Sequence, residues 1–171
     1  MTTTVGSHRG AEARTGPRWI ELGRAAWGLA MLAAPRPVLE HVGGITVDQP
    51  SVAVARILGA RHLAQAALSG VDPSPEVLAL GVWVDTIHAL TAAALALADR
   101  SRARAGLIDM GVAAVWAGAG YRDLRADVAT PPAHDRRRDR LARLVLRHAP
   151  GGAPLLHLAC ADRKGQTLHV S

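Results

Sequence analysis

The sequence predicts an all-α protein, a four-helix transmembrane bundle with a basic amphipathic C-terminal segment. Three observations predict this fold. First, residues 77–98 form a long apolar stretch, which at 1.5 Å per residue crosses a hydrocarbon core of about 30 Å. Second, three further apolar segments accompany it, joined by short connections that imply antiparallel neighbours. Third, the middle parts of these segments contain positively and negatively charged residues in equal numbers.

Proline, glycine and capping residues predict where each helix begins and ends. The four segments are expected at about 17–34, 51–69, 75–98 and 103–121. Pro17 suits a first helical turn, and Pro35 ends the first helix. Ser51 is the expected N-cap of the second helix. The connection over 36–50 contains glycine and proline and is expected to be a loop.

The region after the fourth segment is expected to be less regular. A basic helix is predicted over 135–148, and the Pro-Gly-Gly sequence at 150–152 ends it. The last stretch, 154–171, is expected to form a small hairpin around 162–165 or to lack regular structure. The domain organisation is therefore a polar N-terminal tail (1–16), the bundle (17–122) and a basic C-terminal tail (123–171).

Charge distribution predicts the orientation of the bundle. The chain has 171 residues and a net charge of +6, and its N-terminal tail has no apolar stretch of the kind found in a cleaved signal peptide. With four spans, the two tails and the second connection share one side. When Arg18, Arg104 and Arg122 at the segment ends are counted with the adjoining tails and connections, that side holds 13 Lys and Arg residues, against 4 for the other two connections. The positive-inside rule then places both termini in the cytoplasm of a multi-pass protein of a bacterial inner membrane.

The charges in the middle parts of the four segments balance. The positive members are Arg24, Arg56 and Arg61, and the negative members are Glu21, Asp85 and Asp109. An unpaired charge in a low-dielectric interior costs several kcal/mol, so these groups are expected to pair. Glu21 and Arg24 are i,i+3 neighbours along the first helix. Arg61 and Asp85 are the preferred cross-helix pair and Arg24 and Asp109 the second, while Arg56 is expected to extend toward a membrane face.

Ionisable residues at membrane depth are candidates for a ligand or ion pathway, and six form the candidate set: Arg24, Arg61, His62, Asp85, His88 and Asp109. The main hypothesis is a small polytopic membrane protein of unassigned activity, in which this network is mainly structural. One alternative is a proton-coupled or small-solute carrier, and another is a soluble helical bundle that binds a small ligand. No cofactor is expected, the alternative being a haem ligated axially by His62 and His88.

The chain lacks the common catalytic motifs. It contains no glycine-rich phosphate loop, GxSxG, HExxH or CxxC motif, which favours a protein that is not an enzyme, and no metal site is predicted. The glycines of the fourth segment are expected to mark close helix packing instead. They are Gly106, Gly111, Gly118 and Gly120.

The basic C-terminal segment is expected at a membrane surface. Its arginines are Arg136, Arg137, Arg138, Arg140, Arg143 and Arg147. Leu141, Leu144 and Val145 share a helical face between them. Such a segment can lie on anionic lipid, and no nucleic acid partner is expected because recognition motifs are lacking.

Several sequence segments together resemble a known group of proteins. ARILGARHLAQA, GVWVDTIHAL and the helix that carries Asp109 are similar to segments of the small uncharacterised four-helix integral membrane proteins of actinobacteria. The matching positions are Arg56, Gly59, Arg61, Asp85 and His88, and the resemblance covers about residues 19–122. It implies the four-helix membrane fold and brings no known activity.

Overall fold

The computed structural model describes residues 18–70, 73–126 and 136–168, and every regular element in these ranges is a helix. The prediction of an all-α chain is confirmed. The helices are α1 (Trp19–Ala33), α2 (Pro35–Pro37), α3 (Gln49–Ser69), α4 (Pro75–Ala98), α5 (Ala103–Arg125), α6 (Arg137–His148) and α7 (Gly152–Leu168). A single π-helical segment (Val38–Gly43) continues α2.

Caps explain why two of the long helices begin where they do. The Ser74 side chain accepts a hydrogen bond from the Val77 amide, so α4 begins at Pro75 as predicted. The N-cap predicted for α3 is wrong: Asp48 caps this helix by accepting from the Ser51 amide at 2.9 Å. Ser51 therefore lies in the first turn, and α3 starts two residues before the predicted position.

The connection between α1 and α3 was expected to be a loop, and this prediction is also wrong. Pro35 ends α1 but provides the first position of α2, because its fixed φ suits a helical start. The helical path then widens into the π-helical segment. It ends at Gly44, whose φ of +62° lies in the left-handed region that glycine adopts readily.

Small residues allow the long helices to pack closely in two pairs. In the pair α1 and α3, a Cβ atom added to Gly28 would lie 2.8 Å from the Gly59 carbonyl oxygen, so the backbones touch. In the pair α4 and α5, a Cβ atom on Gly106 would lie 3.0 Å from Ala96 Cβ. Gly106 and Gly120 thus mark close packing as predicted. Gly111 and Gly118 do not, since a Cβ atom there would meet nothing within 4 Å.

The two ends of the bundle differ in structure. At the end that we call the basic end, Arg18 binds Asp123 and joins the start of α1 to the end of α5. At the end that we call the loop end, Arg102 binds Asp48 and joins the α4–α5 turn to the start of α3. Helices α6 and α7 pack at the basic end. The long helices therefore run up and down between two structurally distinct ends.

The C-terminal region folds back on the bundle through a small apolar core. Its buried members are Leu78, Ala79, Leu124, Leu146 and Ala159. A hydrogen bond from Trp83 Nε1 to the Pro150 carbonyl oxygen holds the α6–α7 turn against α4. The hairpin or irregular segment expected after residue 154 is wrong: up to residue 168 it is helix α7, because its leucines find an apolar partner in α4.

One of the described helices, α4, is long and apolar enough to cross a membrane, judged by length and composition. The core helix of a soluble protein passes the same test, so this criterion alone decides nothing about a membrane.

Candidate functional site

Asp85, on α4, is the centre of the buried polar network. Arg24 of α1 donates two parallel hydrogen bonds to it, from Nη1 to Oδ1 at 3.1 Å and from Nη2 to Oδ2 at 2.8 Å. From α3, Arg61 Nη2 donates to Oδ1 at 3.0 Å and Gln65 Nε2 donates to the same oxygen at 3.2 Å. One carboxylate therefore connects both helix pairs, and bidentate arginine contacts of this kind are strong and directional.

The network continues from Asp85 toward the basic end. Arg24 Nε lies 3.2 Å from Glu21 Oε2, and Glu21 Oε1 accepts from Arg18 at 2.9 Å. Arg18 in turn reaches Asp123 of α5 at 3.0 Å. The Arg24 guanidinium also lies over the Trp116 ring, 4.9 Å from its centroid. Charges alternate in sign along this series of paired side chains, which offsets the cost of removing each group from water.

Two of the three predicted ion pairs are confirmed, Glu21 with Arg24 and Arg61 with Asp85. The pair of Arg24 with Asp109 is wrong. Arg24 is occupied by Asp85, and Asp109 lies closer to the loop end, where its Oδ2 is 2.8 Å from His88 Nε2. Arg56 is exposed on α3, consistent with a side chain that extends outward.

His62 occupies the centre of the bundle with an exposure of 0%. Its ring packs against Trp116, with centroids 4.8 Å apart, and lies nearly perpendicular to His88 at 6.3 Å. Within the described residues neither of its ring nitrogens has a hydrogen-bond partner. The two histidines therefore contact each other edge to face, and His88 Nε2 is engaged by Asp109.

The arginines predicted to lie at a membrane surface fall into two groups. Arg143 binds Glu76 of α4 at 3.1 Å and Arg138 donates to the Leu68 carbonyl oxygen at 2.9 Å, so both hold α6 on the bundle. These two arginines therefore attach α6 to the bundle, and their predicted contact with a membrane surface stays a prediction. The others are exposed. They are Arg136, Arg137, Arg140 and Arg147.

Sequence reasoning missed a second charged cluster, at the loop end. Arg102 contacts Asp48 and Asp99, each at 2.6 Å. Hydrogen bonds from Ser51, followed by those from Arg102, lower the pKa of Asp48 to about 2. Hydrogen bonds from Ser101 and then Arg102 lower the pKa of Asp99 to about 2. Asp99 and Arg102 are i,i+3 neighbours, and this spacing was the available signal.

Gln65 was also missed, although it follows Arg61 by four residues and so shares its helical face. In contrast, no local pattern predicts that Ser74 donates to Asp139 of α6 at 2.5 Å, because the two residues are 65 positions apart.

No protein-family model, curated protein or solved structure matches this chain. The resemblance to small actinobacterial membrane proteins therefore stays a prediction.

Proposed function

We propose that this protein is a small polytopic membrane protein, and that its buried network joins two helix pairs rather than carrying out catalysis. The observation that carries the proposal is the distribution of charge and apolar surface. On the four long helices, several ionisable side chains, such as those of Arg24 and Asp85, are almost completely buried, whereas many large apolar side chains, such as that of Leu97, are exposed. Both features are unusual for a water-soluble bundle, in which charged groups are rarely fully buried and large apolar patches are few.

The contrast is clearest along α4. Asp85 is 0% exposed, while Leu90 and Leu97 on the same helix are 63% and 84% exposed. On α3, His62 is buried and Ile57 is 68% exposed. A bilayer explains both halves of this pattern, because lipid solvates the leucines while the charges find partners only in the interior.

The basic end supports a cytoplasmic orientation for this end of the bundle. Trp19 and Tyr121 are exposed there, and both suit the membrane–water interface. Exposed arginines of α6 lie at the same end, beside the exposed Leu141 and Leu144. We propose that this face of α6 contacts anionic lipid of the inner leaflet.

Membrane fractionation tests the central proposal. We expect the expressed protein to stay in the membrane pellet after carbonate and urea washes. Leu90→Lys places a charge on the outer face near the middle of α4 and should lower the yield of folded, membrane-inserted protein, since lysine at a span centre costs about 3 kcal/mol. Leu141→Lys, at an exposed leucine of α6, is the matched control and should be tolerated. Recovery of the wild-type protein in the soluble fraction would instead support a soluble bundle that binds a small ligand.

Cysteine labelling tests the orientation. In a Cys160→Ser background, Ser101→Cys places a thiol in the α4–α5 turn and Arg147→Cys places one on α6; both positions are exposed. A membrane-impermeant maleimide applied to intact cells should label the first and not the second. The opposite pattern would reverse the proposed topology.

Lipid retention tests the proposed contact of α6 with anionic lipid. We expect the triple variant Arg137→Gln, Arg140→Gln, Arg147→Gln to copurify with less phosphatidylglycerol than the wild-type protein, because each basic residue near the surface contributes about 1 kcal/mol. Equal retention would remove this part of the proposal.

A proton-coupled carrier is the second candidate, favoured by the His88–Asp109 pair, which borders a cavity. This function predicts that proteoliposomes take up protons and that Asp85→Asn or Asp109→Asn abolishes uptake while folding persists. Proteoliposomes no more permeable than empty vesicles would eliminate it. The haem alternative predicts a Soret band in the detergent extract, and a colourless extract would eliminate that hypothesis.

A further inference from the structure

A cavity of about 610 Å³ lies between the two helix pairs on the side of the loop end. Its volume falls within the range of about 300–1,000 Å³ that is typical of small-molecule sites. The π-helical segment covers it with Val38, Leu39 and Val42, and Met31 and Leu58 line it from α1 and α3. Short π-helical segments often occur at functional sites.

Small side chains create this space. Ala55 of α3 and Ala92 and Ala96 of α4 line the cavity and are almost fully buried. The ion pairs of Asp85 join the two helix pairs nearer the basic end, and larger side chains do not fill the gap beyond them. Val54 and Leu95 are exposed lining residues, so the cavity opens between α3 and α4 onto the apolar outer face.

The polar groups of the cavity restrict what it can bind. The charged residues that line the cavity are Asp99, Arg102 and Asp109, with a sum of one negative charge. An anionic head group is therefore disfavoured. Farther inside, His88 lines the wall, with its Nε2 engaged by Asp109. Asp109 also lines the cavity, and its second carboxylate oxygen, Oδ1, is buried without a hydrogen-bond partner within the described part of the chain. This oxygen is an acceptor.

We propose that the cavity binds an uncharged lipophilic alcohol or phenol, with the apolar body between the helix pairs and the hydroxyl group donating to Asp109 Oδ1. The apolar lining attracts such a molecule through the removal of its surface from water. One hydroxyl satisfies this buried oxygen, and the molecule adds no charge beside the two carboxylates that line the cavity. This inference goes beyond the proposed function, because the cavity belongs to the fold whether or not lipid surrounds it.

Photocrosslinking tests the proposal. The probe is a long-chain alcohol that carries a diazirine in its alkyl chain, applied to the full-length protein in nanodiscs, with adducts located by mass spectrometry. We expect saturable labelling at Met31, Leu58 and Ala92 that excess unlabelled long-chain alcohol prevents. The carboxylic acid of the same length should compete at least tenfold more weakly. Labelling spread over outer residues such as Leu90 and Leu97, without saturation, would overturn the proposal.

Two matched variants distinguish the cavity from the outer face. Thr91 is exposed and lines the cavity, whereas Ala94 is exposed on the same helix and does not line it. Thr91→Phe should fill part of the space and reduce saturable labelling severalfold, and Ala94→Phe should leave it unchanged. Equal labelling of the two variants would overturn the proposal. Asp109→Leu should remove the preference for alcohol over acid while apolar labelling persists, and an unchanged preference would refute the assigned hydrogen bond.

Discussion

Arg24 and Asp85 lie 61 residues apart and face each other through two parallel hydrogen bonds of 3.1 and 2.8 Å. Both side chains are almost completely buried, at 4% and 0% exposure. This pair joins α1 to α4 across the boundary between the two helix pairs. Arg61 and Gln65 bring α3 to the same carboxylate. The stability of the bundle therefore depends on one acidic residue more than on any single arginine.

The first prediction compares the loss of Asp85 with the loss of one of its arginine partners. Asp85→Ala leaves two arginines without their carboxylate and should lower the free energy of unfolding by about 3–5 kcal/mol. Arg24→Ala leaves Asp85 with Arg61 and Gln65, and should cost less, about 1–3 kcal/mol. Unfolding in mixed micelles measures both changes, with the exposed Arg56→Ala as control. Equal losses for Asp85→Ala and Arg56→Ala would contradict a structural role for the network.

The second prediction concerns the contact of α1 with α3. Gly28→Ala introduces a Cβ atom that meets the Gly59 backbone, so the helices must separate, at a cost of about 1–3 kcal/mol. Gly23→Ala, on the same helix, meets nothing within 4 Å and should stabilise the protein by about 0.5–1 kcal/mol through helix propensity. Thermal unfolding of the two variants should shift in opposite directions. Shifts of the same sign would show that α1 does not cross α3 at Gly28.

The third prediction concerns the docking of α6. Leu146 is buried in the core shared with α4, and its replacement by alanine should cost about 2–5 kcal/mol. Leu144 is exposed on the same helix, so Leu144→Ala should change stability by no more than about 0.5 kcal/mol. Limited proteolysis near residue 136 provides a second readout and should accelerate only in Leu146→Ala. Equal behaviour of the two variants would mean that α6 does not pack on α4.

The fourth prediction concerns pH. Because the pKa values of Asp48 and Asp99 are lowered from 3.8 to about 2 in the folded protein, both groups stabilise it above pH 3.8. That contribution is lost as the pH falls from about 4 to 2. The double variant Asp48→Asn, Asp99→Asn should therefore show a smaller decrease in Tm over this interval than the wild-type protein. Asparagine can still cap the helix at position 48. The difference in Tm between the double variant and the wild-type protein therefore reflects the loss of the two negative charges.

The exposed Glu40→Gln is the control for the pH experiment, and its pH profile should follow that of the wild-type protein. If the double variant and the wild-type protein lose stability in parallel between pH 4 and 2, the cluster around Arg102 does not hold the loop end together.

Local sequence signals predicted most of the helices, because caps, prolines and apolar periodicity act within a few residues. Ser74 and Pro75 begin α4 at the predicted position, and its last residue, Ala98, is also as predicted. The same signals failed between residues 35 and 43, where two prolines were interpreted as a loop although Pro35 starts a helix. They also failed for α7, which depends on apolar contact with α4 as well as on its own weak pattern.

By itself, the sequence determined that the chain is helical, that ionisable residues lie within its apolar segments, and that Glu21 and Arg61 have the partners predicted for them. These properties depend on spacing along one helix or on similar depth in neighbouring helices. Only the tertiary structure decided that Arg24 binds Asp85, that Asp109 binds His88, and that a cavity separates the helix pairs at the loop end. The physical reason is that a charge pairs with the nearest opposite charge in space. The distance between two charges on different helices depends on how closely glycine and alanine allow those helices to approach.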